Sequence, residues 1–164
     1  MTRDALSEFI EYVGKLDELT LFVLKGHLVL ERGLDATLEE IFFHSTFLDA
    51  ANLRFVQKVQ LARSLSVDQQ DNGVWNLILA INTLRNDLAH SLVSPKRRAR
   101  IDAVRDLYFA LYSADRITQE RSLSDEVIVS FAIAMSNGFL TMCEAEAKEL
   151  RRAMNQRASQ AHDD

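Results

Sequence analysis

The sequence has few of the residues that break helices or staple loops. In 164 residues it holds one proline, Pro95, and five glycines. Average usage would give several of each, so a loop-rich or low-complexity chain is excluded. Few turn residues mean few turns, which favours long helices over a sandwich or barrel. The single cysteine, Cys143, excludes a disulfide framework and a cysteine-rich zinc site. No glycine-rich phosphate loop is present, which argues against a kinase or an ATPase. The longest apolar stretch, 19–30, is interrupted by Lys25 and His27. It falls short of the roughly 20 apolar residues a bilayer crossing needs. Residues 1–4 lack the basic start of a signal peptide. The expectation is a soluble cytoplasmic protein with no membrane partner, one domain over residues 1–157 and a frayed tail over 158–164.

What is present is helical periodicity. Leu6, Phe9, Ile10 and Val13 recur at three- and four-residue spacing, which predicts a short helix over 4–13. A long helix follows over 16–43, with Leu19, Phe22, Val23, His27, Leu30, Leu34, Leu38 and Ile41 on its apolar positions. Gly26 and Gly33 each cost such a helix about 1 kcal/mol relative to alanine, a cost that suggests close contact with a neighbouring backbone. Helices over 50–64 and 74–92 come next, separated by the polar run 67–73. Ser94 and Pro95 read as cap and first residue of a helix reaching 113. A last helix starts after Ser122 or Ser124, with Asp125 and Glu126 near its positive end. The fold expected is an all-α, antiparallel bundle of five to six helices.

Charge is uneven along the chain. Residues 1–50 carry 4 basic and 10 acidic side chains, residues 51–121 carry 11 and 7, and residues 122–164 carry 4 and 7, a total of -5. A basic middle in an acidic chain suits an anionic ligand bound at one place rather than a protein that coats nucleic acid.

The chemistry concentrates in Leu84-Arg85-Asn86-Asp87-Leu88-Ala89-His90. On a helix Arg85 and His90 stand about 7.5 Å apart along the axis and about 140° apart around it. A long arginine reaches round to a histidine in the last turn, or the two meet across a symmetric interface. This pattern resembles the HEPN superfamily, whose motif is an arginine, a polar residue, a few further positions and a histidine. The resemblance spans residues 16–145 and extends to the preceding segment, 53–62. It implies a HEPN-like helical bundle and a metal-independent endoribonuclease of the toxin or antiphage-defence kind. It implies further that the chain forms a homodimer in which two Arg–His pairs face one cleft. On that reading Arg85 clamps the phosphate, His90 moves a proton, Asn86 orients either, and Asp87 assists. A guanidinium is always charged and forks onto phosphate oxygens, and an imidazole titrates near neutrality. Neither metal nor cofactor is called for. The tyrosine that some HEPN toxins carry two residues after the histidine is replaced here by Leu92. That departure puts neutralisation by nucleotide transfer onto such a tyrosine in doubt.

Lys96, Arg97, Arg98 and Arg100 follow the motif directly and could hold RNA phosphates through salt-sensitive contacts. Arg54, Lys58 and Arg63 could extend that groove. Trp75, Tyr108 and Tyr112 could stack bases, though their spacing favours a core. His27 and Glu31, four residues apart with Asp35 beyond, have the spacing of metal ligands, but a paired or buried histidine fits them better. The rival to the nuclease is a HEPN-like or mannitol-repressor-like module that binds a protein or nucleotide, such as an antitoxin or regulatory partner, without catalysis.

Overall fold

The computed structural model describes residues 17–67, 69–90, 95–112 and 122–163. Among them are six helices and no strand: α1 Glu18–Ile41, α2 Thr46–Ala51, α3 Phe55–Leu65, α4 Val74–His90, α5 Arg97–Ala110 and α6 Asp125–Asp163. The helix expected over 4–13 lies outside the described residues.

Local chemistry sets the boundaries. The Asp17 carboxylate accepts from the Thr20 amide at 2.8 Å and so caps the start of α1. Burial disfavours the charged carboxylate, but the Thr20 bonds and the Arg97 guanidinium outweigh it and hold Asp17 below its ordinary pKa. The helix expected over 50–64 instead begins at Phe55, because the chain turns at Asn52, whose φ of 47° is left-handed. Asparagine tolerates that conformation better than most residues. Gln57 Oε1 then accepts from the Arg54 amide at 2.9 Å and fixes the first turn of α3. Before α4, Asn72 Oδ1 accepts from the Val74 amide at 3.0 Å. Ser94 lies outside the described residues, and Pro95 sits in a turn. The residue that precedes α5 is Lys96, with no side-chain cap. The tail expected to fray from 158 continues α6 as far as Asp163.

The bundle is not antiparallel throughout. A Cβ added to Gly26 would fall 2.6 Å from Ile133 Cδ1, and one added to Gly33 would fall 3.2 Å from Leu140. Both numbers rise together, so α1 and α6 run side by side in the same direction. At Gly26 they close to a distance at which a methyl group would collide with Ile133, and at Gly33 to one at which it would press tightly on Leu140. Arg97 pairs with Asp17, and Arg98 and Arg105 pair with Asp125, so α5 starts at the same end. Gly73 packs against Leu111, so α4 runs the opposite way and ends where the other three begin.

The core collects the apolar stripes: Val23, Leu30 and Leu34 from α1, Val59 from α3, Trp75, Ile78 and Ile81 from α4, Val104 from α5, and Ile128, Ala132 and Leu140 from α6 are all sealed from solvent. Trp75 meets Phe139 edge to face at 4.8 Å, and Tyr108 lies buried against Tyr112. Trp75 and Tyr108 are therefore structural and offer no face to a base.

The longest apolar stretch is not 19–30, which Lys25 interrupts, but 127–143, 17 uncharged residues within α6. By length and composition alone that helix could cross a membrane, yet 44% of its most apolar window is buried within the bundle.

Candidate functional site

Arg85 sits in the fifth position before the end of α4, half-buried, with Nη1 donating to the Asn86 side-chain oxygen at 3.1 Å. The two residues form one wall of a cavity of about 560 Å³. Its other walls are His27 and Glu31 from α1, Arg54 before α3, and Phe55, Val56 and Gln57 in its first turn, with Asn82 one turn back along α4. Two guanidiniums therefore face the same space, among amide side chains that donate and accept.

The floor of the cavity is a buried polar pair. His27 Nε2–H donates to Asn82 Oδ1 at 3.0 Å, and its ring lies 4.2 Å from the ring of Phe55. The carbonyl oxygen of Asn82 can only accept, so Nε2 carries the proton. Nδ1 is then a bare lone pair, buried without a partner. Protonating it would place an unsatisfied N–H among apolar atoms. Burial accordingly lowers the His27 pKa from its ordinary value. The nearby Arg85 charge adds to that effect, while Asn82 and Glu31 oppose it.

The linkage has a definite sign. The unfolded chain takes up the His27 proton near pH 6.5 and the folded chain only at lower pH, so stability is lost as pH falls below about 6.5. His27→Gln keeps a donor for Asn82 and removes the titration. Wild type is expected to lose more thermal stability than His27→Gln between pH 7 and pH 5. Equal losses in both proteins would show that His27 is not held neutral.

The other expected site residues whose side chains are described do not line this cavity. His90 ends α4 about 7.5 Å further along the axis than Arg85, at the end of the bundle where α1, α5 and α6 start. The placement of its side chain lies outside the described residues. Asp87 is half-buried, with Oδ2 enclosed and without a hydrogen bond. Arg97 is paired with Asp17, and Arg98 with Asp102 and Asp125, so much of the basic run ties α5 to α1 and α6. Arg100 is half-buried, its Nε enclosed without a partner. Lys96 is exposed.

The second group resolves differently again. Lys58 reaches Asp35 at 2.7 Å and Glu31 at 3.1 Å. Burial works against its charge, but hydrogen bonds to those two carboxylates prevail and raise its pKa above the ordinary value. Lys58 is thus committed to α1 rather than to a groove. The His27–Glu31–Asp35 spacing does not assemble a metal site: His27 turns to Asn82, the carboxylates turn to Lys58, and no cluster of three such ligands occurs among the described residues. Cys143 is buried, and burial, aided by Glu146, pushes its thiol pKa up to about 11. At neutral pH it is a small core residue and not a nucleophile.

Asn82 and Gln57 were not foreseen as cavity residues. Asn82 did leave a trace in the sequence. It is the one amide inside the apolar stretch 77–82 and falls on the buried side of α4, where a polar group needs a partner. The identity of that partner, 55 residues away, is set only by the fold.

No family model, curated protein or solved structure matches the chain.

Proposed function

We propose that the chain is a metal-independent endoribonuclease of HEPN type, acting on RNA in the cytoplasm as a toxin or antiphage effector. The observation that supports this most is the seating of Arg85 and Asn86, the first two residues of the motif, on the wall of an open cavity that a second arginine, Arg54, also lines. The cavity volume lies within the roughly 300–1,000 Å³ range of small-ligand sites. A phosphodiester entering it meets two guanidiniums, that of Arg85, held by Asn86, and that of Arg54. Arg85 forks onto the phosphate and stabilises charge developing on its oxygens. Asn86 holds the guanidinium in place through the 3.1 Å contact. His90 supplies the proton transfer that the resemblance assigns to it. A second copy of the chain contributes either a matching pair or only stability.

The second reading, a module that binds a nucleotide or a protein partner without cleaving RNA, draws on the same cavity. Purified protein incubated with single-stranded RNA separates the two. The nuclease reading expects cleavage that survives a chelator and disappears in His90→Ala, with growth arrest on expression of wild type only. RNA or nucleotide binding that needs Arg85, with no cleavage by wild type, would favour the module.

A further inference from the structure

The cavity beside Arg85 is also lined by the whole start of α3, from Arg54 through Phe55 and Val56 to Gln57. The first amides of a helix have no partner within it, and a serine, threonine, asparagine or aspartate before the helix normally accepts from them. Here that place is held by Arg54, which has no acceptor to offer and makes no side-chain cap. Gln57 Oε1 bends back to the Arg54 amide, so the amides of Phe55, Val56 and Gln57 stay without an acceptor among the described residues. A cation at the positive end of a helix also opposes the helix dipole. Arg54 has no ion pair among the described residues to offset that cost, whereas Lys58, one turn on, holds both Asp35 and Glu31.

A second, independent feature points into the same space. Asn82 is only 7% exposed. Its Oδ1 accepts from His27, and its NH2 has no acceptor among the described residues. A buried amide left in that state costs stability. Unlike His27 Nδ1, the NH2 is not enclosed, so it opens on the cavity. The oxygens of Asn86 and Gln57 are likewise turned to protein donors, to Arg85 and to the Arg54 amide, and their NH2 groups are left to the cavity. Glu31, the one carboxylate on the lining, is tied to Lys58. The site therefore offers donors and positive charge, and is completed by a ligand made of acceptors alone.

We propose that the start of α3 is a binding site for a terminal phosphate, held by the amides of Phe55, Val56 and Gln57, the Arg54 guanidinium and the Asn82 NH2, with Arg85 supplying a second charge from α4. The start of a helix binds phosphate readily, because its free amides and its dipole both favour an anion. A carboxylate has two oxygens, too few for this many donors, whereas a phosphate monoester has three acceptor oxygens. Charge favours a monoester over a diester. Two guanidiniums and about half a charge from the helix exceed the single charge of a diester and suit the roughly −1.5 to −2 of a monoester near neutrality. The ligand is thus a nucleotide or the phosphorylated end of an RNA strand. The site shares its cavity with the nuclease proposed above but does not require that the chain cleave RNA.

Titration calorimetry on the full chain at fixed ionic strength tests the proposal. The probes are inorganic phosphate, uridine 5′-monophosphate against uridine, and an oligouridine with a 5′-phosphate against the same strand with a 5′-hydroxyl, the strands being measured in His90→Ala. Wild type is expected to bind inorganic phosphate and the monophosphate but not uridine, and phosphate should raise its thermal midpoint. Arg54→Asp gives the helix its own acceptor and its own negative charge. It should raise the midpoint without ligand and weaken phosphate binding at least about 30-fold. Arg54→Ser, a neutral cap, should do both to a lesser degree. A gain in stability coupled to a loss of binding does not come from misfolding. Tighter binding of the 5′-phosphorylated strand supports the proposal with an RNA end as ligand. Binding of the monophosphate with no difference between strands supports it with a free nucleotide. Wild type that binds neither inorganic phosphate nor the monophosphate would overturn it, as would unchanged affinity in Arg54→Asp. Phosphate binding by a chain that cleaves no RNA would leave this site standing and remove the nuclease, and RNA cleavage by a chain blind to phosphate would do the reverse.

Discussion

Trp75→Ala is expected to destabilise the fold by about 4 kcal/mol, the upper range for emptying a large aromatic site. Trp75 is fully buried at the start of α4 and packs its edge on Phe139 of α6. Its Nε1–H donates to the Gln69 carbonyl at 2.8 Å, so the ring also holds the loop that enters α4. Truncation opens a cavity between α4 and α6 and strips that carbonyl of its donor, two costs that add. A domain of this size has about 5–15 kcal/mol in total, so the variant should unfold in mild urea. Trp75→Phe keeps the apolar contact and loses the hydrogen bond. It should cost clearly less, about 1–2 kcal/mol. Urea titration followed by circular dichroism reads both variants, and a Trp75→Ala cost under about 1 kcal/mol would refute the account of this packing. As the only tryptophan, Trp75 also makes wild-type fluorescence a direct probe of the α4–α6 contact.

That residue shows what the sequence could convey. Trp75 stands in an apolar run with helical spacing, and such runs located α1, α4, α5 and α6 closely, because burial of a stripe is a local pattern. Gly26 and Gly33 were legible as sites of close approach for the same reason: a helix tolerates them only when something is gained, and here it is the contact with Ile133 and Leu140. Direction was not legible. Periodicity is the same read along either sense of the axis, and nothing in it says that α1 and α6 run parallel. The six-residue helix Thr46–Ala51 was missed because it is too short to show a period, and the break after it depends on one left-handed residue, Asn52. Val127 to Cys143 escaped notice as the longest apolar stretch because Ser130, Ser136, Asn137 and Thr141 dilute its hydropathy without adding charge.

The candidate site divides along the same line. Arg85 and Asn86 stand out in the sequence as an adjacent pair, and the structure sets both on the wall of one cavity. In the basic run, counting cations could not show that Arg97 pairs with Asp17 and Arg98 with Asp102 and Asp125. Asp125 and Asp17 are acidic residues at the starts of α6 and α1, where the helix dipole already favours negative charge. They thus serve twice, once for their own helix and once for an arginine of α5. Arg85 is different: its described hydrogen bond goes to a neutral amide, which leaves its charge open to an anion.

On the nuclease proposed above, that openness makes Arg85 the position where substitution should separate binding from chemistry. Arg85→Ala is expected to lower RNA cleavage by about 10²–10³-fold, the loss seen when one fixed donor to a developing oxyanion is removed. Arg85→Lys keeps the charge and gives up the planar fork, so it should bind RNA with nearly wild-type salt dependence yet cleave much more slowly than wild type. Asn86→Ala frees the guanidinium from its 3.1 Å partner without removing it. Its effect should be the smallest of the three, about tenfold, and should appear in kcat with little change in KM, as for any residue that acts by positioning another. Single-turnover cleavage alongside RNA binding at two salt concentrations measures all of these. If Arg85→Lys cleaved as well as wild type, the guanidinium would be serving only as a point charge, and the phosphate-clamping role would fall. If Arg85→Ala lost no binding and no cleavage, the cavity would not be the RNA site at all.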